Sequence, residues 1–301
     1  MKTISLTIST AALAFFIAGQ SNAASTPKKY AFVITYASKP AVERPEAWVI
    51  ELGRSPSAEV YYSGAGFALP GKAGQSAPPT KAFGLGALAQ TISDQNAVVV
   101  NGGFSVGTPS TPDGFLLVMR QILSPLTLAH DIKPPVYHLD SVICLDMAGK
   151  MTFRSTGDFE SNPELAATTC VSAIQTTPRF FRSNQGRVQN LIPALDPARR
   201  KRTVIGFDAK GSAYVVIFSK PIQRYLIAEF LKQKPLPQTA SNANPTVLIT
   251  VNMSGPPTVS EGIGLVDAVG LSSDENAIAV INGKSLTGNM YRQLPSALVF
   301  R

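Results

Sequence analysis

The run Val98-Val99-Val100-Asn101-Gly102-Gly103-Phe104 constrains this chain more than any other stretch. With Ala97 it gives four apolar residues, three of them β-branched, and branching at Cβ suits a pleated strand and crowds a helix. The segment 97–101 therefore reads as a buried strand. Asn-Gly-Gly ends it with residues that tolerate positive φ. Such an ending exposes backbone N–H groups and a carboxamide, and the Phe104 ring closes it, which is how a binding site is often built on a rigid scaffold. The same letters also spell a plain Asn-Gly hairpin turn. Both readings stand at this point.

The first 23 residues read as a targeting signal. Lys2 is the only early charge, the stretch from Ile4 to Ala18 is mostly apolar, and Ser21-Asn22-Ala23 supplies the small residues that a signal peptidase recognises. The apolar run is too short for a stable membrane span. Cleavage near Ala23 and a periplasmic or secreted protein are the expectation. The remaining chain suffices for a single large domain, and a hydrophobic content of 45% supports a sizeable core.

The formal net charge of +8 favours anionic partners such as phosphates, lipopolysaccharide or wall polymers, although the same charge also serves solubility. The basic residues are scattered, and no nucleic-acid partner is expected. Cys144 and Cys170 are the only two cysteines. In an oxidising compartment they are expected to pair, and the closed loop would contribute roughly 3 kcal/mol. There is no Cys-x-x-Cys, His130 and His138 are isolated, and His-Glu-x-x-His, Gly-x-Ser-x-Gly and P-loop spacings are missing. Zinc protease, esterase and nucleotidase readings therefore lack support.

Along the chain, Tyr30 to Tyr36 and Trp48 to Leu52 read as strands, and Ser55 to Pro79 as turns or a surface loop. Apolar residues at helical spacing from Phe83 to Ile92 predict a helix leading into the strand that ends at Asn101. Strand-turn-strand text follows, with Ser141 to Leu145 and Met151 to Arg154 flanking Ala148-Gly149-Lys150. Val204 to Phe207 and Ala213 to Phe218 flank Asp208-Ala209-Lys210-Gly211 as a hairpin. An amphipathic helix is predicted over Ile222 to Lys232. The Pro-rich stretch 235–260, interrupted by strand-like Thr246 to Val251, reads as a surface insertion, and Ala277 to Asn282 and Ala297 to Phe300 as closing strands. The expected class is α+β: a mixed, mainly antiparallel sheet core with a few packed helices. Residues 24–96 would supply its first strands, loop and helix, and residues 97–301 its core.

Five pieces in order carry a resemblance: Asn101-Gly102-Gly103-Phe104; Ala173-Ile174-Gln175-Thr176-Thr177-Pro178-Arg179; Lys201-Arg202-Thr203-Val204-Ile205-Gly206-Phe207-Asp208; Tyr225 to Lys232; and Asn282-Gly283-Lys284. Their order and spacing resemble the phosphodiester glycosidase family from Ala97 to the C-terminus. That family shows a strand ending in NGGF, an A-x-Q-x-G-P strand, R-T-A-I-G-x-D before a hairpin, a helix like ELAEFL, and a strand ending in LDGGGS. The chain departs from it where Ser272 replaces the carboxylate of the Asp-Gly-Gly-Gly-Ser loop, with Ser273, Asp274 and Glu275 in place of glycines, and where Thr177 precedes Pro178.

The resemblance implies an exported hydrolase of sugar phosphodiesters, acting on an anionic glycan or a sugar phosphate. Phosphodiester chemistry needs positive charge at the non-bridging oxygens and a carboxylate or water-positioning group near the glycosidic carbon. Asn101, Arg179 and Arg202 are the candidate catalytic residues, the two guanidinium forks suiting phosphate oxygens. Gly102, Gly103, Phe104, Thr203, Ser272 and Asp274 are the candidate substrate contacts. A divalent cation, Ca²⁺ or Mg²⁺, is compatible with this chemistry. Each residue also has a plain structural use: interstrand ion pairs for the arginines, a turn for Asn101, β-propensity for Thr203. The loss of the family carboxylate supports an alternative, a catalytically inactive binding protein for anionic glycans or wall polymers on the same scaffold.

Overall fold

Two long strands, Arg199–Asp208 and Ser212–Gln223, form a hairpin in the middle of a ten-stranded sheet. Asp208 builds its turn. The carboxylate accepts the N–H groups of Lys210 and Ser212 at 2.8 and 2.9 Å, and Gly211 takes a φ of +80° that a side chain would oppose. The same design recurs between Ser141–Leu145 and Met151–Ser155, where Asp146 accepts from Ala148 and Lys150 and Gly149 has a φ of +74°. The structure, a computed structural model, describes residues 24–62 (without 25 and 38), 83–105 (without 93 and 95), 112–127, 139–159, 162, 164–184, 187–190, 199–234, 244–252, 256–273, 277–287 and 293–301. The expected signal segment lies outside them.

On one side of the central hairpin the large sheet adds Leu265–Ser273, Arg179–Asn184 and Arg187–Asn190; on the other it adds Glu46–Arg54, Lys28–Tyr36, Thr246–Val251 and Thr258–Val259, with Lys39–Glu43 pairing antiparallel to Lys28–Tyr36 off this path. Every pairing is antiparallel except that of Lys28–Tyr36 with Thr246–Val251. Within the stretch read as an insertion, Thr246–Val251 is thus an integral strand whose period-two pattern buries Val247, Ile249 and Val251.

One face of the large sheet packs on the helix Arg224–Lys232. Phe230 there meets Phe32 at 4.8 Å and Tyr30 at 5.4 Å, both edge-on. Each such buried ring contributes ~1.5–3 kcal/mol through area removed from water. The other face, with Ile50, Leu52, Val215 and Ile217, packs on two five-stranded sheets. The first orders as Gln121–Ser124, Leu116–Val118, Ser172–Thr176, Ser141–Leu145 and Met151–Ser155. The second orders as Lys284–Thr287, Ala279–Ile281, Val98–Asn101, Ser296–Phe300 and Ala58–Tyr62. Val98 and Val100 face the main core, while Ala97 and Val99 face the helix Leu85–Thr91. Burial on both faces is why this strand is apolar throughout.

The expectation of an α+β class is corrected. The molecule is mainly β: the described α-helices are Leu85–Thr91, Glu164–Thr169 and Arg224–Lys232, of 7, 6 and 9 residues. The apparent alternation of helix and strand around residue 90 is a single occurrence, and the strands elsewhere pair among themselves in sheets that pack face to face. Cys144 and Cys170 form a disulfide that ties the strand Ser141–Leu145 to the residue following Glu164–Thr169. Among the described residues no helix is long and apolar enough to cross a membrane.

Candidate functional site

The strand Val98–Asn101 delivers Asn101 to a junction of three strands, where its side chain is wholly buried. The carboxamide oxygen accepts from the Thr203 hydroxyl at 2.6 Å and from the Ile278 N–H at 3.2 Å, and the amide nitrogen donates to the Gly102 carbonyl at 3.4 Å. Thr203 belongs to the long strand Arg199–Asp208, so Asn101 joins the second five-stranded sheet to the large one. The following amides are also committed within the protein. Gly102 N–H donates to the Ser296 carbonyl at 2.9 Å, and Gly103 N–H donates to Ser296 Oγ at 3.1 Å.

Glycine is required here for space. A Cβ on Gly102 would stand 2.3 Å from Ser296 Oγ, and one on Gly103 would stand 2.9 Å from Ile174. The Asn-Gly hairpin reading fails at 101–102 and succeeds at Asn282-Gly283, whose φ values of +51° and +69° make a primed turn between Ala279–Ile281 and Lys284–Thr287. Phe104 is half-buried and opens a short strand paired with Pro112–Asp113.

Arg179 opens the strand Arg179–Asn184, one strand removed from Arg199–Asp208 across Leu265–Ser273. Its guanidinium binds the Asp267 carboxylate in bidentate fashion, with Nη2 at 2.8 Å from Oδ2 and Nε at 3.2 Å from Oδ1, and lies 5.8 Å from the centre of the Phe153 ring. Its backbone N–H donates to both oxygens of Asp140 at 3.1 Å. Burial pushes the Asp267 carboxyl up against the opposing pull of Arg179. Burial also pushes Asp140 up, against hydrogen bonds from Arg179 N–H, Ser141 and Thr177.

Arg202 is 1% exposed. Alternation along its strand places it on the face of Val204, which packs on the helix Arg224–Lys232, whereas Thr203 and Ile205 face the smaller sheets. The structure therefore brings together Asn101, Gly102, Gly103 and Thr203. Arg179 stands apart on the flank of Phe153, and Arg202 lies on the opposite face of the sheet from Thr203. Ser272 lies in the strand Leu265–Ser273, near its end. Asp274, Glu275, His130 and His138 lie outside the described residues.

Three residues that organise the region were not assigned a role from the sequence. Gln175 is fully buried, and its oxygen accepts from the N–H groups of Phe115 and Thr127 at 2.9 and 3.0 Å. Its nitrogen donates to the carbonyls of Thr127 and Leu139 at 2.8 and 3.0 Å. Ser296 receives both glycine amides, and Asp267 neutralises Arg179. A polar residue within an apolar strand motif was the available signal for Gln175; nothing local marked the other two. Among the described residues no three His, Cys, Asp or Glu side chains converge as a metal site. Asn101 Oδ1 already accepts two hydrogen bonds, so the described residues do not fit the Ca²⁺ or Mg²⁺ expectation.

No family model and no curated relative matches the sequence. Among solved structures, the chain is similar to the zebrafish N-acetylglucosamine-1-phosphodiester alpha-N-acetylglucosaminidase catalytic domain auto-inhibited by its pro-peptide. The TM-score is 0.57 at 14% identity, over 94% of this chain and 84% of that one. The likeness is one of fold. A hypothetical protein from Synechocystis gives a TM-score of 0.49 at 12% identity over 90% of this chain and 61% of its own, and an exported protein from Burkholderia pseudomallei gives 0.43 at 10% over 88% and 75%.

Proposed function

We propose that this chain is an exported phosphodiester glycosidase-like protein that hydrolyses a sugar phosphodiester of envelope glycans. The observation that carries the reading is the Arg179–Asp267 pair beside Phe153, on a fold shared with a phosphodiester glycosidase catalytic domain. A guanidinium, a carboxylate and an aromatic face are the group types that a sugar phosphodiester requires from a protein. In this reading Arg179 carries the positive charge for the phosphate. Asp267 is its positioning partner, holding the guanidinium in place through the bidentate pair. Asn101 is a structural residue: with Thr203 it fixes the turn Gly102–Phe104 between the second five-stranded sheet and the large one. Arg202 stabilises the sheet beneath. The disulfide and the net charge of +8 suit an oxidising compartment and an anionic substrate.

A second reading, binding of the same anionic glycans without turnover, is favoured by Ser272, which stands where the family carries a carboxylate. Release of sugar from a radiolabelled N-acetylglucosamine phosphodiester, assayed with and without Ca²⁺ or Mg²⁺, separates the two. Turnover that Arg179→Ala abolishes in a protein that still unfolds cooperatively supports hydrolysis. Saturable binding with no release by the unaltered protein supports the second reading. Absence of both refutes a sugar phosphodiester as ligand.

A further inference from the structure

The second five-stranded sheet ends on Ala58–Tyr62, and beside this edge strand lies a cavity of about 440 Å³. Ala58, Val60, Val118, Leu145 and Val171 give it apolar walls, and it shares no lining residue with the Asn101 turn. Met119 and Met147 also line it, 74% and 80% exposed respectively. The two methionines sit on two different turns, and both turns are rigidly held.

Met119 and Arg120 form the two-residue turn between Leu116–Val118 and Gln121–Ser124, with φ of +50° and +65°. Side-chain-bearing residues in this region cost roughly 1–2 kcal/mol each, so the surroundings must impose the conformation. They do so through Met119 N–H to Ser172 Oγ at 3.1 Å and Arg120 N–H to the Val171 carbonyl at 2.7 Å. Met147 rides on the Asp146 turn, whose Gly149 carbonyl accepts the Ala58 N–H at 2.9 Å. The Cys144–Cys170 disulfide immediately precedes two wall residues, Leu145 and Val171, and fixes one wall to the other.

We propose that this cavity binds a small amphiphile whose alkyl or aryl body seats between Met119 and Met147 and whose neutral or cationic head remains at the mouth. The volume falls in the range of roughly 300–1,000 Å³ typical of small-molecule sites. Unbranched, polarisable methionines adapt to such a body more readily than branched side chains do. Glu59 and Asp146 are the charged residues of the lining; Arg301 offsets Glu59, and Asp146 disfavours an anionic head. Glu59 is itself fixed by Arg301 and by the Tyr61 hydroxyl at 2.7 Å, so the polar rim is ordered before any ligand arrives.

The test uses the whole exported protein carrying methyl-¹³C methionine, titrated with decyltrimethylammonium or decyl sulfate below their micelle concentrations. The Met119 and Met147 methyl signals should move saturably with the cationic probe, while the signal of Met151, buried in the core, stays in place. Decyl sulfate should bind at least tenfold more weakly. The exposed double variant Met119→Ser, Met147→Ser should keep its unfolding midpoint and lose at least tenfold in affinity. The proposal is overturned by unmoved Met119 and Met147 signals, by an equal response at Met151, by equal affinity for the two head groups, or by a double variant that binds unchanged.

Discussion

At the scale of single residues, Asn101 and Thr203 form a buried pair whose value lies in mutual satisfaction. Removing one partner strands the other, at a cost of about 1–3 kcal/mol, more than the net worth of the bond. Asn101→Ala and Thr203→Val should each destabilise the protein. The double variant should cost less than the sum by ~1 kcal/mol or more, a coupling that denaturant midpoints in a double-mutant cycle will show. Additive effects would mean that the 2.6 Å contact contributes nothing. Asp140 supports a prediction of a different kind. Burial raises its carboxyl above the ordinary value of 3.8, so the folded protein takes up a proton that the unfolded chain does not hold. The stability this contributes is complete below the ordinary value and is lost as pH rises through the raised one. Wild-type stability should therefore fall between mildly acidic and neutral pH more steeply than that of Asp140→Asn, measured by urea midpoints at each pH.

At the scale of elements, the Met119–Arg120 turn carries strain that one substitution should relieve. Arg120 holds a φ of +65° with a side chain that is exposed and does not line the cavity. Arg120→Gly should stabilise the fold by about 1 kcal/mol, seen as a higher thermal midpoint, because glycine meets no Cβ penalty there. An unchanged or lower midpoint would show that the side chain contributes more than the strain costs. Turns also explain what was legible in the sequence. Asp208 to Gly211 spelled its hairpin because the carboxylate cap and the left-handed glycine are local signals. Val98–Val100 announced a buried strand by composition, and the helix Arg224–Lys232 by the spacing of its apolar face. Leu265–Ser273 was hidden, because Asp267, Gly270 and Ser272 resemble loop text. Gly270 is there because a Cβ would meet Pro178 at 2.8 Å, and Asp267 because Arg179 lies across the strand gap. Both reasons are long-range, as are the partners of Asn101, and no window along the chain contains them.

At the scale of the whole molecule, the stretch 235–260 shows how topology overrides composition. Its prolines and polar residues read as a surface insertion with a strand-like segment inside it, and that segment, Thr246–Val251, pairs in parallel with Lys28–Tyr36 over six positions. Val247 and Ile249 enter the same core as Phe32, Phe218 and Phe230. Losing one such aliphatic side chain costs about 2–4 kcal/mol, comparable with a large fraction of the total stability of an ordinary domain. Removing the strand would also leave the outer edge of Lys28–Tyr36 unpaired and its apolar face uncovered. Deletion of 235–260 should therefore abolish the cooperative unfolding transition measured by circular dichroism. Val247→Ala should lower stability by about 2 kcal/mol or more. Leu248→Lys should remain within ~0.5 kcal/mol of wild type, since Leu248 is 55% exposed on the outer face. A deletion variant that still melts cooperatively near the wild-type midpoint would mean that the sheet closes without this strand, and that the parallel pairing is peripheral to the fold.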